Sequence, residues 1–246
     1  MKQRIQRLLQ RVLGFDRYLY LFSLFKVRTL GRDRIEGDVI HFVEMMPTDA
    51  VVLDIGANIG IMTVHLARRV SRGHVHAFEP VPENHAVLRR VVAHYGLTNV
   101  SCHQVALGDS EGTLEMVMPV ESDVRMQGLS RVLTGGESDP DRGEHYEVPQ
   151  RTLDTLDFLE GVRVAGIKID VEDYEQFVFR GGRSLIERCR PVIYTELGKG
   201  ENRRVCVDFF AELGYHAALI GSALMREQDP AVAIASFRAA VPVEGS

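Results

Sequence analysis

The chain has 246 residues, 45% hydrophobic and 26% charged, which is enough apolar material to pack one large α/β domain with a small appendage. Its net charge of -5 excludes a protein that coats a nucleic acid backbone, so no nucleic acid partner is expected. The charge is uneven: residues 1–34 hold nine Lys or Arg against two Asp, about +7, which leaves about -12 for the remainder.

In chain order, residues 1–30 read as helical. Ile5, Leu8, Leu9, Val12 and Leu13 recur at helical spacing between Lys2, Arg4, Arg7 and Arg11. Such a basic amphipathic helix is expected to cap its own domain, with peripheral contact to a membrane surface as its other use. Gly14 interrupts, Tyr18–Leu30 continues with a second apolar run, and a short helix at about Asp38–Met46 ends before Pro47. Residues 1–46 are thus expected to form a helical cap and 47–246 the main domain. The start lacks the apolar core of a secretory signal, and no stretch has the uninterrupted apolar length of a membrane span. Cys102, Cys189 and Cys206, odd in number and without metal-type spacing, are expected to be reduced thiols, and a cytoplasmic location follows.

From residue 50 strands and helices alternate. The β-branched run 50–55 predicts a strand, Ile61–Val70 a helix, His74–Phe78 a strand, and Pro82 starts a helix that Gly96 stops. Val100–Leu107 reads as a third strand and Thr113–Met118 as an extra one. Residues 119–150, rich in Gly, Pro, Asp and Glu, read as an irregular, lid-like excursion. Alternation resumes with a strand at Val164–Asp170, a helical run Tyr174–Arg188 broken near Gly181-Gly182, a strand at Pro191–Glu196 and a helix at Asn202–Leu213. His216–Ile220 and Ala231–Phe237 read as two last strands. The pattern implies a doubly wound, mostly parallel, Rossmann-like α/β sheet with N-terminal helices and a C-terminal antiparallel strand pair. Ligands then bind beyond the carboxyl ends of the strands.

The first such end is Leu53-Asp54-Ile55-Gly56-Ala57-Asn58-Ile59-Gly60, a strand, a tight turn and the start of a helix. Gly56 and Gly60 allow close backbone approach, and a helix N-terminus offers N–H groups and a positive dipole end to an anion. Glu79 ends the second strand about twenty residues on, where a carboxylate can accept both hydroxyls of a ribose. The three-glycine fingerprint of pyrophosphate binding is missing, which favours a nucleoside without pyrophosphate, such as S-adenosylmethionine. A nicotinamide-dependent oxidoreductase would share the sheet and Glu79 but should show that fingerprint. A noncatalytic module on the same fold would share everything except turnover. Asp170 ends a strand on which Ile167 and Ile169 face one way and Lys168 and Asp170 the other. It and its neighbour Glu172 can accept a proton from a hydroxyl, cap the helix starting near Tyr174, or hold a divalent cation; no metal is assigned. Glu196 ends the fifth strand and can line the pocket or pair with Lys199 or Arg203. His145 is a minor acid–base candidate, and the other histidines read as packing or surface groups.

Five segments together resemble the FkbM family of methyltransferases over about residues 37–240. They are Val51 to Gly60, Ala77-Phe78-Glu79-Pro80-Val81-Pro82-Glu83-Asn84, Val105-Ala106-Leu107-Gly108-Asp109, Thr152-Leu153-Asp154-Thr155-Leu156, and Ile167-Lys168-Ile169-Asp170-Val171-Glu172. The resemblance implies that Asp54, Gly56, Ala57, Asn58 and Gly60, with Glu79 and Pro80, hold the methionine and ribose parts of S-adenosylmethionine. Ala106, Leu107 and Asp109 would lie against the adenine. Gly128-Leu129-Ser130 resembles a Ser-Leu segment of the family's lid region. The implied reaction is methyl transfer to a hydroxyl of a sugar or secondary metabolite, a small-molecule or glycan acceptor, with Asp170, Glu172 and Glu196 as catalytic candidates. Residues 119–150 would cover the substrate, and the N-terminal helices would wall one side. One departure stands out: the family follows Lys-Ile-Asp-Val-Glu with Gly and a small residue, where this chain has Asp173 and Tyr174.

Overall fold

The structure, a computed structural model, describes residues 2–30, 37–121, 123–133, 143–197, 200–215 and 219–220. Three helices open the chain: α1 (Lys2–Leu13), α2 (Phe15–Thr29) and α3 (Gly37–Met45). The β/α series follows as β1 (Val51–Ile55), α4 (Ile61–Arg69), β2 (His74–Phe78), α5 (Pro82–His94) and β3 (Val100–His103). It resumes at β9 (Val164–Ile169), α6 (Glu175–Gly181), α7 (Arg183–Cys189), β10 (Val192–Thr195), α8 (Glu201–Glu212) and β11 (Leu219–Ile220), after an insertion within 106–151 that holds five further strands among the described residues. The main sheet has six parallel strands in the order β11-β10-β9-β1-β2-β3, so the winding reverses between β1 and β9. That reversal opens a crevice at the carboxyl ends of β1, β2 and β9. One sheet face packs Leu53, Ile55, Ile167 and Ile169 against α6, α7 and α8. The other packs Val52 and Val75 against α3 and α4.

The doubly wound sheet agrees with the sequence reading, with three corrections. Val100–Leu107 is not one strand. The chain leaves the main sheet after β3, and β4 (Ala106–Leu107) pairs instead with β8 (Gly143–Arg151). The excursion 119–150 is only partly irregular. β5 (Gly112–Glu121) and β8 form an eight-residue antiparallel ladder, and β6 (Val124–Arg125) and β7 (Arg131–Val132) each pair with β5. The strand signal of β8 was hidden by Pro149 and by exposed His145, Glu147 and Arg151, while Val148 and Gln150 alternate inward. Finally, β11 extends the series parallel to β10, and the other expected C-terminal strand, Ala231–Phe237, lies outside the described residues.

The N-terminal helices divide in two. α2 buries Leu19 and Val27 against Val64, Val87 and Val91, and Ser23 donates 2.9 Å to the Ile59 carbonyl, tying α2 to the loop after β1. α1 does not turn its apolar face inward as expected. Its polar face grips β6: Gln10 Nε2 donates to the Arg125 carbonyl (3.2 Å), Gln10 Oε1 accepts the Arg125 N–H (3.1 Å), and Arg7 pairs with Asp123. Ile5, Leu8, Leu9 and Val12 are left exposed.

Candidate functional site

The loop after β1 has its own internal reasons for its glycines. Gly56 has φ +72, and a Cβ there would stand 1.9 Å from the Asp170 carbonyl oxygen, so it is glycine because β1 and β9 end in contact. Gly60 has φ +83 and lies over Leu88, whose Cδ1 would be 2.8 Å from an added Cβ. The expectation that this loop presents free amides fails for most of it. The N–H groups of Gly56 and Ala57 both donate to the Phe78 carbonyl (3.0 and 2.9 Å), and that of Gly60 to the Ala57 carbonyl (2.9 Å). The Asn58 N–H donates to Glu79 Oε2 at 2.8 Å.

Glu79 is therefore first a clamp. Its Oε1 accepts the Val81 N–H (3.0 Å) and Asn84 Nδ2 (3.4 Å), joining the loop after β1 to the start of α5. Burial pushes its carboxyl up to about 7, against the lowering effect of those hydrogen bonds and of Lys168.

Lys168 is the residue whose role sequence reasoning missed. The β1–β9 register sets it opposite Asp54, and both are buried. Lys168 Nζ donates to the Gly56 carbonyl (2.8 Å) and lies 3.5 Å from Asp54 Oδ1 and 3.6 Å from Asp170 Oδ2. Asp54 Oδ2 accepts the Thr63 hydroxyl at 2.6 Å. Burial works to lower the ammonium pKa, yet Asp170, Asp54 and Glu196 outweigh it and hold the pKa above its ordinary value. This buried cation thus fastens the glycine loop to the end of β9. A signal was available: a lysine among Ile167, Ile169 and other apolar strand residues requires a buried anion, and Asp54 holds the matching place on β1.

These elements line a cleft at the carboxyl ends of β1, β2 and β9, open to solvent at one side. Of the expected cofactor residues, Gly56, Asn58, Glu79, Pro80, Ala106 and Leu107 line it, whereas Asp54, Ala57, Gly60 and Asp109 do not. Asp54 sits beneath it as the partner of Lys168, and Asp109 is exposed. Asp170 and Glu172 line the mouth. Glu196 does not: it lies beyond β10, exposed, and accepts the Tyr194 hydroxyl at 3.1 Å. His145 is on β8, beside Glu115 at 3.0 Å and off the cleft. Gln127, Gly128, Ser130 and Val132 of the excursion form one wall, and none of residues 2–30 does. Phe78, Val105, Met116 and Tyr174 supply apolar surface.

Three amide side chains that line the cleft, Asn58, Asn84 and Gln127, each hold a buried carbonyl oxygen without a hydrogen-bond partner. Such acceptors call for a donor from a bound molecule. Three carboxylates, Glu79, Asp170 and Glu172, join them, and no Lys or Arg lines the cleft among the described residues. The ligand that fits is rich in donors and carries positive charge. S-adenosylmethionine has a sulfonium, an ammonium, ribose hydroxyls and an adenine amine, so the residues present fit it. A pyrophosphate would meet three carboxylates and, among the described residues, no Lys or Arg in the lining.

The rim explains the departure at 173. Glu172 and Asp173 both take left-handed backbone conformations (φ +49 and +68), so the turn after β9 is one that glycine enters without cost and aspartate does not. Helix capping is not their role: α6 starts with Tyr174 at its N-cap and no side-chain cap bond, and Glu175 Oε1 accepts the Val171 N–H at 3.3 Å. Glu172 is exposed at the rim, yet partial desolvation at the cleft wall, then the charges of Asp170, Glu175, Asp173 and Glu196, push its carboxyl up to about 7. Tyr174 is buried, stacks on Phe177 and accepts from Gln150 Nε2 at 3.3 Å. Gly181 lets α6 meet the turn after β4, since a Cβ would stand 1.9 Å from the Gly108 carbonyl oxygen.

The family model for the methyltransferase FkbM domain matches residues 54–217. Methyltransferase 1 of Beauveria bassiana is 28% identical over 156 residues, covering 58% of this chain and 63% of that protein. The 31-O-demethyl-FK506 methyltransferase FkbM of Streptomyces tacrolimicus is 32% identical over 164 residues, 57% of this chain and 62% of its own. The chain thus spans about six-tenths of the length of these curated relatives. Among solved structures, the FkbM methyltransferase of Methylobacillus flagellatus aligns with a TM-score of 0.43 at 17% identity, over 71% of this chain and 48% of that one.

Proposed function

This chain belongs to the FkbM family of S-adenosylmethionine-dependent methyltransferases, and from that premise we propose that it methylates an oxygen, a hydroxyl of a small-molecule or glycan acceptor. The observation that carries the reading is the lining of the cleft, with three unmet amide carbonyls, three carboxylates and no Lys or Arg among the described residues. Asn58, Asn84 and Gln127 would hold donors of the cofactor. Glu79 would share its remaining acceptor capacity with the ribose while clamping the loop. Phe78, Val105 and Leu107 would face the adenine.

When bound, S-adenosylmethionine supplies an electrophilic methyl on a sulfonium. The protein's task is alignment, exclusion of water and removal of the acceptor's proton. Asp170 and Glu172 are the two candidates for that base at the cleft. Glu172 would be that base, a reading supported by Asp170 lying 3.6 Å from Lys168 and by the carboxyl of Glu172 being pushed up to about 7, where it can take up a proton near neutral pH. Asp170 would then orient the acceptor hydroxyl. Gln127 to Val132 would cover it. No helix among the described residues is long and apolar enough to cross a membrane. The free thiols of Cys102, Cys189 and Cys206 suit the reducing cytoplasm, where we place the protein. A mass-spectrometric screen of sugars and secondary metabolites with S-adenosylmethionine tests the reading. Gain of one methyl on a hydroxyl supports it, and gain on nitrogen or carbon alone rules out the oxygen assignment.

A further inference from the structure

Ten large hydrophobic side chains are exposed among the described residues, and six of them, Ile5, Leu8, Leu9, Val12, Leu21 and Phe25, fall on α1 and α2. On α1 the spacing is i, i+3, i+4, i+7, one continuous stripe, 40–71% exposed. The helix is anchored the opposite way round, by Gln10 and Arg7 on β6. A helix that binds its own domain through polar groups while turning its apolar stripe to water marks that stripe for another surface. Charge complementarity decides which. Residues 1–34 carry about +7 within a chain of net charge -5, and Arg11 on α1 and Arg17 and Arg28 on α2 are exposed. A second copy would bring two such cationic segments together. An anionic lipid surface meets both features, taking the apolar stripe among its acyl chains and the arginines among its headgroups.

We propose that α1 docks the protein on an anionic lipid surface through Ile5, Leu8, Leu9 and Val12. The anchor on Arg125 is two residues from Gln127 in the cleft wall, so the docked helix is tied to the segment that lines the cleft.

The test is co-sedimentation of the full chain with phosphatidylcholine vesicles with and without about a third phosphatidylserine, at low and high salt. The chain should pellet with the anionic vesicles, salt should release it, and neutral vesicles should leave it in solution. A variant with Ile5, Leu8, Leu9 and Val12 all changed to Gln should lose at least about tenfold in partitioning, with unchanged melting, because the changed side chains are exposed. Arg11→Gln, Arg17→Gln and Arg28→Gln together should weaken partitioning as well; this second variant decides the matter if the first does not fold. Absence of binding to anionic vesicles, or undiminished binding by a folded variant, overturns the proposal. So does a dimer in light scattering that the Gln variant dissolves, since a second copy would then own the stripe.

Discussion

Lys168→Met removes the buried cation under the cleft while keeping its length and most of its volume. Lys168 Nζ faces Asp54 at 3.5 Å and Asp170 at 3.6 Å, and Asp54 is 0% exposed. At an effective dielectric constant of about 20, each pairing is worth roughly 4.7 kcal/mol before desolvation. Desolvation of the pair offsets much of that, so the wild-type arrangement itself stabilises the fold little. Breaking it is different, because Asp54 is left buried with the Thr63 hydroxyl alone beside it. Removal of one partner of such a pair typically costs about 3–5 kcal/mol. For a chain of this size the melting temperature should fall by about 10 °C. The Gly56 carbonyl also loses its donor, so S-adenosylmethionine affinity should drop along with stability. Asp54→Asn in the same chain removes the stranded charge and should recover more than half of the lost melting temperature, a coupling expected only of contacting groups. Thermal unfolding of the four proteins, checked by guanidinium titration, reads the result. A Lys168→Met variant melting within about 2 °C of the parent, or no recovery by Asp54→Asn, would show that Lys168 does not neutralise a buried Asp54.

Three other outcomes are expected. Glu79→Ala should weaken S-adenosylmethionine binding at least about tenfold and also lower the melting temperature, since three donors lose their acceptor; unchanged calorimetric affinity would remove Glu79 from the site. Turnover should rise as pH climbs through about 7, because Glu172 must lose its proton to act as base, and Glu172→Gln should flatten that limb; a variant with the parental pH profile would exclude Glu172 as the base. Asp173→Gly should raise stability by about 1 kcal/mol through relief of a left-handed aspartate, and a destabilised variant would show that φ +68 carries no cost here.

Much of the fold was legible because parallel strands buried on both faces, such as Val51–Ile55 and Val164–Ile169, read as apolar runs, and Pro82 and Gly96 bracket α5. The second sheet was not, because β8 interleaves Glu144, His145, Glu147 and Arg151 with its inward residues and holds Pro149. The site was legible where strand ends carry the chemistry, at Glu79, Asp170 and Glu172. It was not where partners come from distant segments. Gln127 enters the cleft from the insertion, and Asn84 reaches Glu79 from the first turn of α5. Gly56 makes room for the Asp170 carbonyl within the protein, a packing reason for glycine that the loop's own sequence does not reveal. The orientation of α1 could not be read from its periodicity, because a helical wheel gives an apolar face and not what covers it.

The cleft between β1, β2 and β9 is expected to take a donor-rich, cationic nucleoside. Isothermal titration of the full chain with S-adenosylmethionine and, separately, with NAD measures that directly. Saturable binding of S-adenosylmethionine at a single site, weakened at least about tenfold by Asn84→Leu together with Gln127→Leu, and no binding of NAD is the expected result. Binding of NAD in preference to S-adenosylmethionine, or S-adenosylmethionine affinity indifferent to both substitutions, would contradict it.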